Sequence, residues 1–347
     1  MRRSSEPAAR PTIVLDARMR RGGGDRYVTE LCAHLPATGQ AALRLVTEPA
    51  PYRPWGLWAV ARECARAGAD LLHGLHVEVA PVAAPAVVTI HDVLPLEFPA
   101  SMPGRARRRV YRRTLDTALA RAWRVIVPSE ATARAVVRHG ADADRVRVVP
   151  LGTGPQFRPA PVARRQEARG RFAGGRRYVV AMIGSRAHKN LAGAVAAADR
   201  LGADGDLDVL APGGRPGGRA GAIRFLGRLA DPALVELFAG AEATLVPSHV
   251  EGFGLPVLES LACGTPVVCG EAVGALSWLR PGVLVVDPAD SRETADALRG
   301  LAFDGALRDA LSEAGRAAAA PLSAEAMATA TFAVYREVLT EAAGATR

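Results

Sequence analysis

Short apolar runs alternate with longer amphipathic segments along the whole chain. The runs are rich in Val, Ile and Leu and end at Gly, Pro, Asp or Ser, which is typical of buried strands. The segments between them have helical spacing. Twelve runs are predicted to be strands: 12–17, 43–48, 70–75, 86–92, 124–129 and 146–152, then 178–184, 207–212, 223–227, 243–248, 265–270 and 283–288. Such alternation predicts an α/β fold with parallel sheets covered on both faces.

The pattern divides into two similar halves, each predicted to be a doubly wound, Rossmann-like domain. Residues 153–176 between them are rich in Gly, Pro and Arg, so a linker with one short helix is expected. The predicted domains are residues 1–155 and 156–325. Residues 326–347 are expected to form a helix that packs back towards the N-terminal domain. The two domains are expected to face each other across a cleft, with ligands at the carboxyl ends of the strands.

The composition limits the cellular compartments and the kinds of partner that are expected. The net charge of +9 favours anionic partners without choosing among nucleotides, lipid headgroups and nucleic acid. The four cysteines form no CxxC pair and are interpreted as buried thiols of a reducing compartment. No apolar segment follows the basic N-terminus, and the longest apolar run, residues 80–90, is too short to span a bilayer. The chain is therefore predicted to be cytoplasmic.

A single lysine stands among 44 basic residues, within GSRAHKN (184–190). This segment follows a predicted strand and precedes a predicted helix. Lys189 is therefore expected beside free N–H groups at a helix N-terminus, where anions are favoured. A compact ammonium, with Arg186 nearby, suits a diphosphate. The alternative interpretation is a solvated lysine at the start of a helix.

The segment HVEGFGLPVLE (249–259) follows another predicted strand in the same way. Gly252 and Gly254 leave backbone amides open to close approach by a phosphate or a sugar. Glu251 in the loop and Glu259 in the following helix are suited to accept hydrogen bonds from vicinal hydroxyls of a ribose or hexose. The alternatives are a solvated loop acid and an acid that stabilises the first helical turn.

Together these motifs resemble the retaining GT-B glycosyltransferases that carry an E-x7-E motif, the glycosyltransferase group 1 that includes bacterial mannosyltransferases and glycogen synthases. The segment EGFGLPVLE followed by SLACGTPVV carries the resemblance most strongly. Other segments match in order along nearly the whole chain: RRGGGDRYVTEL (20–31), VVTIHDVLPLEFP (87–99), residues 124–159, GSRAHKN and residues 223–248.

The resemblance implies a role for each matching residue. Lys189 and Arg186 would bind the donor diphosphate, and Glu259 would bind the ribose hydroxyls. Glu251 would hold the transferred sugar. The other implied contacts are the amides of Phe253, Gly254 and Leu255 at the sugar, Gly23 and Gly24 at the diphosphate, Arg228 and Leu229 at the base, and His91 near the reacting carbon. The implied catalytic residues are His91, Glu251 and Lys189.

The resemblance implies no cofactor and no metal, because the nucleotide-diphosphate sugar is a co-substrate and positive groups at its phosphate stabilise the leaving charge. Two DxD sequences, 142–144 and 206–208, would suit a metal-dependent transferase of another fold. Both stand at the start of a predicted strand, away from the ligand edge, and are interpreted as turn and cap acids.

Two features remain open. In the basic segment 104–114, Val110, Thr114 and Ala118 would form one helical stripe, with arginines on the other side. The segment could dock on anionic lipid at the inner face of the membrane, meet an anionic acceptor or be a solvated face. His73 and His76 either face the acceptor or are buried or solvated. Nucleic-acid binding is not expected, because no aromatic residues are interleaved with the arginines.

The predicted function is retaining, metal-independent transfer of a hexose from a nucleotide-diphosphate sugar to a hydroxyl acceptor. The acceptor would be a saccharide, a lipid-linked saccharide or a small natural product. A nucleotide-sugar epimerase or hydrolase of the same fold and a non-catalytic nucleotide-sugar binding module are the alternatives.

Overall fold

The computed structural model describes residues 10–18, 23–51, 55–202, 205 and 207–345. The chain forms two compact units. Unit 1 comprises Met1–Leu96, Gly104–Pro150 and Ala324–Arg347, and unit 2 comprises Glu97–Pro103 and Leu151–Ser323. Among the described residues, no helix is both long enough and apolar enough to cross a membrane.

Unit 1 is built on a six-stranded parallel sheet with the strand order β2-β1-β3-β4-β5-β6. Its strands are β1 (Thr12–Asp16), β2 (Ala42–Val46), β3 (Leu71–Gly74), β4 (Ala86–Thr89), β5 (Ala122–Val127) and β6 (Val146–Val148). Its helices are α1 (Gly23–His34), α2 (Gly56–Ala67), α3 (Leu94–Glu97), α4 (Arg105–Arg121), α5 (Glu130–Arg138) and α13 (Ala324–Ala345).

Unit 2 is built on a seven-stranded sheet with the order β13-β12-β11-β7-β8-β10-β9. Its strands are β7 (Tyr178–Ala181), β8 (Asp208–Ala211), β9 (Arg219–Ala220), β10 (Ile223–Phe225), β11 (Thr244–Val246), β12 (Val267–Cys269) and β13 (Val283–Val285). Its helices are α6 (Val162–Ala173), α7 (Leu191–Gly202), α8 (Asp231–Gly240), α9 (Leu255–Ala262), α10 (Leu276–Leu279), α11 (Ser291–Phe303) and α12 (Gly305–Ala319).

All twelve predicted strands are present, and the short strand β9 is additional. Several predictions extended too far at the carboxyl end, where residues 146–152 were predicted but the strand is Val146–Val148. Residues beyond the strand ends, such as Ile90 and Leu151, are still buried. An apolar residue indicates burial, and burial continues into the loops beyond each strand. The apolar runs therefore do not show where the hydrogen bonding between strands ends.

Alternating side chains place the core of unit 2 on both faces of its sheet. Val179 of β7 packs in a cluster with alanines and leucines of α7 and α11. Its neighbours Tyr178 and Val180 pack on the opposite face with Phe172 of α6 and Phe238 of α8. The continuous apolar strands predicted from the sequence are therefore explained by burial on both faces.

The unit boundaries differ in detail from the predicted ones. Unit 2 begins at Leu151, and its last residue before α13 is Ser323. The segment Glu97–Pro103, placed in the N-terminal domain by the sequence, belongs to unit 2, where its 3-10 helix Pro99–Ser101 packs beside another at Ala187–Lys189. Helix α13 packs in unit 1 against α1, and its Glu337 accepts a hydrogen bond from Arg124 of β5.

The apolar stripe predicted for α4 was wrong at Val110, whereas its third member, Ala118, is buried. The buried side chains of this helix are Tyr111, Leu115 and Ala118, whereas Val110 is 59% exposed. Both sets have helical spacing, so the spacing alone could not choose between them. The arginines of the segment 104–114 therefore lie around an exposed valine.

Three of the four predicted buried thiols, Cys64, Cys263 and Cys269, are buried, and Cys32 is partly exposed. Burial raises the pKa of Cys263 to about 12. At neutral pH this thiol is therefore protonated and unreactive.

Candidate functional site

The two glycine-containing motifs of unit 2 meet because of the strand order of its sheet. The chain runs from β7 to β8 and β10 on one side, then returns to the other side of β7 to form β11. The carboxyl ends of β7 and β11 therefore flank a topological switch point, where open α/β sheets bind ligands. The loop after β7 carries Lys189, and the loop after β11 carries Glu251.

Lys189 and Glu251 form a direct ion pair. The Lys189 Nζ donates to Glu251 Oε1 at 2.6 Å, and the Ser248 hydroxyl donates to the same oxygen at 2.5 Å. The two charged side chains are only 25% and 12% exposed. The amide of His249 also donates to the His188 carbonyl at 2.8 Å, which joins the two loops. Each residue was predicted to contact donor, but their mutual pairing was not foreseen.

Asn190, the only asparagine in the chain, holds the lysine loop in place. Its φ of +48° is the left-handed conformation that asparagine tolerates better than most residues. Its Oδ1 accepts the Gly193 amide at 3.1 Å and caps α7, and its Nδ2 donates to the Pro288 carbonyl at 2.7 Å. This capping role of Asn190 was not predicted from the sequence.

We expect Asn190→Ala to destabilise the protein by about 2 kcal/mol, because it loses the helix cap and strains a left-handed residue. Asn190→Gly is the matched control, since it keeps the conformation and loses only the cap and the Pro288 bond. Its cost should be smaller. Urea unfolding followed by circular dichroism measures both, and equal stability of wild type and Asn190→Ala would contradict the assignment.

The loop after β11 ends in a glycine that starts α9. Gly254 has a φ of +98°, and a Cβ there would lie 2.6 Å from Val273 Cγ1. In the first turn of α9, Pro256 has no N–H and the Val257 amide donates to the Gly254 carbonyl at 2.9 Å, so the Leu255 amide at the positive end of the helix is the donor that favours an anion. Glu251 is held beside it by the Ala272 carbonyl, which accepts its amide at 3.0 Å. Phe253 is buried beneath this turn.

Glu259 is 3% exposed on α9 and is the fifth residue of that helix. The alternative that Glu259 stabilises the first helical turn is therefore wrong, because this residue lies in the second turn. Arg186 and Arg228 are both exposed, and Leu229 is partly buried against the core cluster that contains Phe238. Arg228 and Leu229 follow β10, two strands from β7, so they lie further along the same sheet edge.

Of the residues predicted in unit 1, His91 is partly buried after β4. Its Nε2 lies 3.2 Å from the Leu75 carbonyl, and the ring of Tyr27 meets it edge-on at 4.7 Å. Burial lowers the pKa of His91 to about 4, so the ring is neutral at neutral pH. With its proton on Nε2, the ring donates a hydrogen bond to the Leu75 carbonyl, and Nδ1 is left as an acceptor. Gly23 and Gly24 begin α1, and their surroundings lie outside the described residues.

His73 is a core histidine and does not face a ligand. It is fully buried, with Nδ1 2.6 Å from the Tyr335 hydroxyl and Nε2 2.8 Å from the Thr89 hydroxyl. Burial lowers the pKa of His73 to about 3. His76 is also buried, 3.6 Å from Glu78. Of the readings left open for these histidines, burial is the one that the structure bears out.

These buried histidines predict acid sensitivity. In the unfolded chain a histidine protonates near pH 6.5, whereas folded His73 stays neutral to about pH 3. The stabilisation is complete above pH 6.5 and is lost as the pH falls. We expect His73→Gln to reduce the slope of unfolding free energy between pH 5.5 and 4.5 by about 1.4 kcal/mol per pH unit. Chemical denaturation at several pH values measures the slopes, and identical slopes would refute the prediction.

Comparison with known families agrees with this geometry. Residues 38–157 match the family described as Glycosyltransferase Family 4, and residues 218–318 match Glycosyl transferases group 1. Both families are glycosyltransferase families, and each match covers about a third of the chain. The resemblance seen in the sequence motifs is thereby confirmed at the level of the family.

The chain is similar to parts of glycosyltransferases that have different names. It is 36% identical over 120 residues to O-antigen chain mannosyltransferase B of Escherichia coli, covering 35% of this chain and 32% of that protein. It is 33% identical over 249 residues to the D-inositol 3-phosphate glycosyltransferase of Acidothermus cellulolyticus, covering 64% of this chain and 55% of that protein. The chain thus spans from about a third to just over half of the length of these relatives.

Solved structures establish the fold of the chain. Sucrose-phosphate synthase from Thermosynechococcus elongatus matches with a TM-score of 0.76 and 19% identity, covering 96% of this chain and all of that one. Anabaena HepE in complex with UDP-glucose matches with a TM-score of 0.74 and 18% identity, covering 95% and 99%. These likenesses confirm the predicted GT-B fold class, with two α/β units built on parallel sheets.

Proposed function

We propose that this chain transfers a hexose from a nucleotide-diphosphate sugar to a hydroxyl acceptor. The observation that carries the proposal is the Lys189–Glu251 pair, placed at the switch point of unit 2 beside the N-terminus of α9. Support for the donor class comes from HepE, which has the same fold and was solved with UDP and glucose and with UDP-glucose.

In the proposed complex, Lys189 and Arg186 bind the diphosphate. Glu259 accepts hydrogen bonds from the ribose hydroxyls, and Arg228 and Leu229 contact the base. The ion pair with Glu251 orients the ammonium before the donor arrives, so less side-chain freedom is lost on binding. Glu251 holds the hydroxyls of the transferred sugar, together with the amides of Phe253, Gly254 and Leu255. Gly23 and Gly24 are proposed to contact the diphosphate, and His91 the sugar near the reacting carbon.

The proposed chemistry relies on charge at the leaving group. As the sugar–phosphate bond breaks, negative charge grows on the diphosphate and positive charge on the anomeric carbon. A preoriented ammonium and a helix N-terminus stabilise the leaving phosphate. The acceptor hydroxyl attacks from the face that the diphosphate leaves and gives its proton to the phosphate, which retains the configuration. His91 is a neutral imidazole in this proposal, and its Nδ1 accepts a hydrogen bond from a hydroxyl of the sugar.

Turnover of candidate nucleotide sugars tests the proposal. We expect nucleoside diphosphate to be released only when a hydroxyl acceptor is present, and nuclear magnetic resonance of the product should show the anomeric configuration of the donor. Epimerised or hydrolysed donor without acceptor would favour the epimerase or hydrolase alternative. Donor binding without turnover on any acceptor would favour a binding module, and an inverted product would exclude retention.

Removal of metal provides a separate prediction. Because Lys189 and the α9 terminus supply the positive charge at the phosphate, we expect the rate of transfer to change by less than about twofold in excess EDTA. Initial rates with and without EDTA, and after adding back magnesium or manganese, measure this. A rate that collapses in EDTA and recovers with metal would refute metal independence.

We further propose that the chain acts in the cytoplasm and contacts anionic lipid through the segment 104–114. This segment lies mainly on α4, where exposed arginines surround the exposed Val110. Such a surface attracts acidic headgroups. A lipid-linked saccharide is the acceptor class that this contact would serve.

A further inference from the structure

Helix α2 exposes two tryptophans on one side. Trp55, at its N-terminal end, is 60% exposed, and Trp58 is 75% exposed. Arg62 and Arg66 follow four and eight residues after Trp58, so they continue the same exposed stripe. Val60 lies on the opposite side and is fully buried. Large aromatic side chains left in water usually mark an interaction surface.

Helix α4 supplies a dense positive charge. It contains seven arginines and one aspartate, and that aspartate, Asp116, is paired with Arg112 at 2.9 Å. The exposed side chains in its first half include Arg105, Arg107, Arg109, Val110 and Arg113. On α2 the acid Glu63 is likewise paired with Arg66, at 3.0 Å.

The topology places these two helices on one face of the unit 1 sheet. The connections from β2 to β3 and from β4 to β5 run in the same direction across the sheet. Right-handed crossovers therefore put α2 and α4 on the same face. The connection from β1 to β2 runs the other way, which puts α1 on the opposite face, and α13 packs against α1. Helix α13 carries three glutamates and one arginine, so the two faces differ in charge.

We propose that the face formed by α2 and α4, here called the docking face, binds a bilayer that contains anionic lipid. The docking face comprises Trp55, Trp58, Arg62, Arg66, Arg105, Arg107, Arg109, Val110 and Arg113. Tryptophan rings are favoured at the boundary between headgroups and acyl chains. Arginines bind headgroup phosphates while their stems cover apolar surface.

This inference extends the lipid contact proposed above for residues 104–114 by adding the aromatic side chains that enter the interface. It does not depend on transfer activity. The arginines of α4 alone would also suit a polynucleotide. The exposed tryptophans on α2 favour the bilayer, because they stand apart from the densest arginines and so form no stacking platform along a basic groove.

Co-sedimentation of the full chain with vesicles tests the docking face. We expect binding to an equal mixture of phosphatidylglycerol and phosphatidylcholine, little binding to phosphatidylcholine alone, and weaker binding at high salt. Trp58→Ser should lower the partition coefficient about tenfold. The double change Arg107→Gln with Arg113→Gln should lower it about thirtyfold. Phe303→Ser is the matched control, because Phe303 is 51% exposed on unit 2 and should not matter.

Tryptophan fluorescence supplies the second readout. Emission of the wild type should shift to the blue on binding the mixed vesicles, and the shift should be lost in the double variant Trp55→Ser with Trp58→Ser. Binding of Trp58→Ser equal to wild type, equal binding to both vesicle types, or tighter binding to duplex DNA would each overturn the proposal. Nucleotide binding, measured separately by calorimetry, tests the donor site, so the two proposals fail independently.

Discussion

Lys189→Ala is expected to weaken the binding of the cognate nucleoside diphosphate by at least about a hundredfold. The first cause is the loss of charge-assisted hydrogen bonds from the ammonium to the phosphates. The second follows from the ion pair, since the substitution leaves Glu251 without the lysine that lies 2.6 Å away in the native protein. A bare carboxylate at that position would repel a diphosphate.

Calorimetric titration of UDP, GDP, dTDP and ADP measures the effect and also names the base. Lys189→Arg is the first control; we expect about tenfold weakening, because the broad guanidinium keeps the charge but does not fit the position of the ammonium. The second is Lys189→Ala combined with Glu251→Gln, which removes the repelling charge and should bind more tightly than Lys189→Ala alone. If Lys189→Ala binds as wild type does, the lysine is not part of the donor site.

Glu251→Gln is expected to lower the turnover number by about a hundredfold to a thousandfold. The carboxylate is proposed to hold the sugar hydroxyls and to orient Lys189, and the amide is a weaker acceptor for both. A nucleoside diphosphate lacks the transferred hexose, so its binding should change by only about threefold, the effect of one weakened bond to Lys189. The separation between binding and turnover distinguishes a sugar-holding role from a general loss of structure.

Steady-state rates at saturating donor measure this prediction, and Glu271→Gln is its matched control. Glu271 is 68% exposed, pairs with Arg280 and follows the neighbouring strand β12, so its replacement should leave turnover unchanged. Equal losses in Glu251→Gln and Glu271→Gln would show that Glu251 has no special role. If Glu251→Gln lost nucleotide binding to the same extent as turnover, the role of the carboxylate would be to orient Lys189 and not to hold the sugar.

The fold class and the positions of the two motifs could be predicted because they rest on local patterns. Twelve apolar runs marked twelve strands, and the linker helix α6 was expected between the halves. Lys189 and Glu251 were each recognised from a strand end followed by glycine and a helix start. In such signals the informative residues stand within about one turn or one strand of each other, so a window of sequence contains them.

Local patterns could not predict which side of α4 is buried. Val110 and Tyr111 begin equally regular helical stripes, and only the sheet beneath decides that Tyr111 is buried. The burial of His73 is a similar case, because its hydrogen-bond partner Tyr335 is 262 residues away on α13. Neither side chain carries a sequence signal for the other.

Local patterns in the sequence were sufficient to predict the alternation of strands and helices, the family resemblance and the residue types at the strand ends. The ion pair between Lys189 and Glu251, which are 62 residues apart, follows from the packing of the whole domain. The tertiary structure also decided that Glu97–Pro103 packs in unit 2 and that α2 and α4 share a face. The physical reason is that these results depend on strand order and crossover direction, which arise when the whole sheet buries its apolar faces.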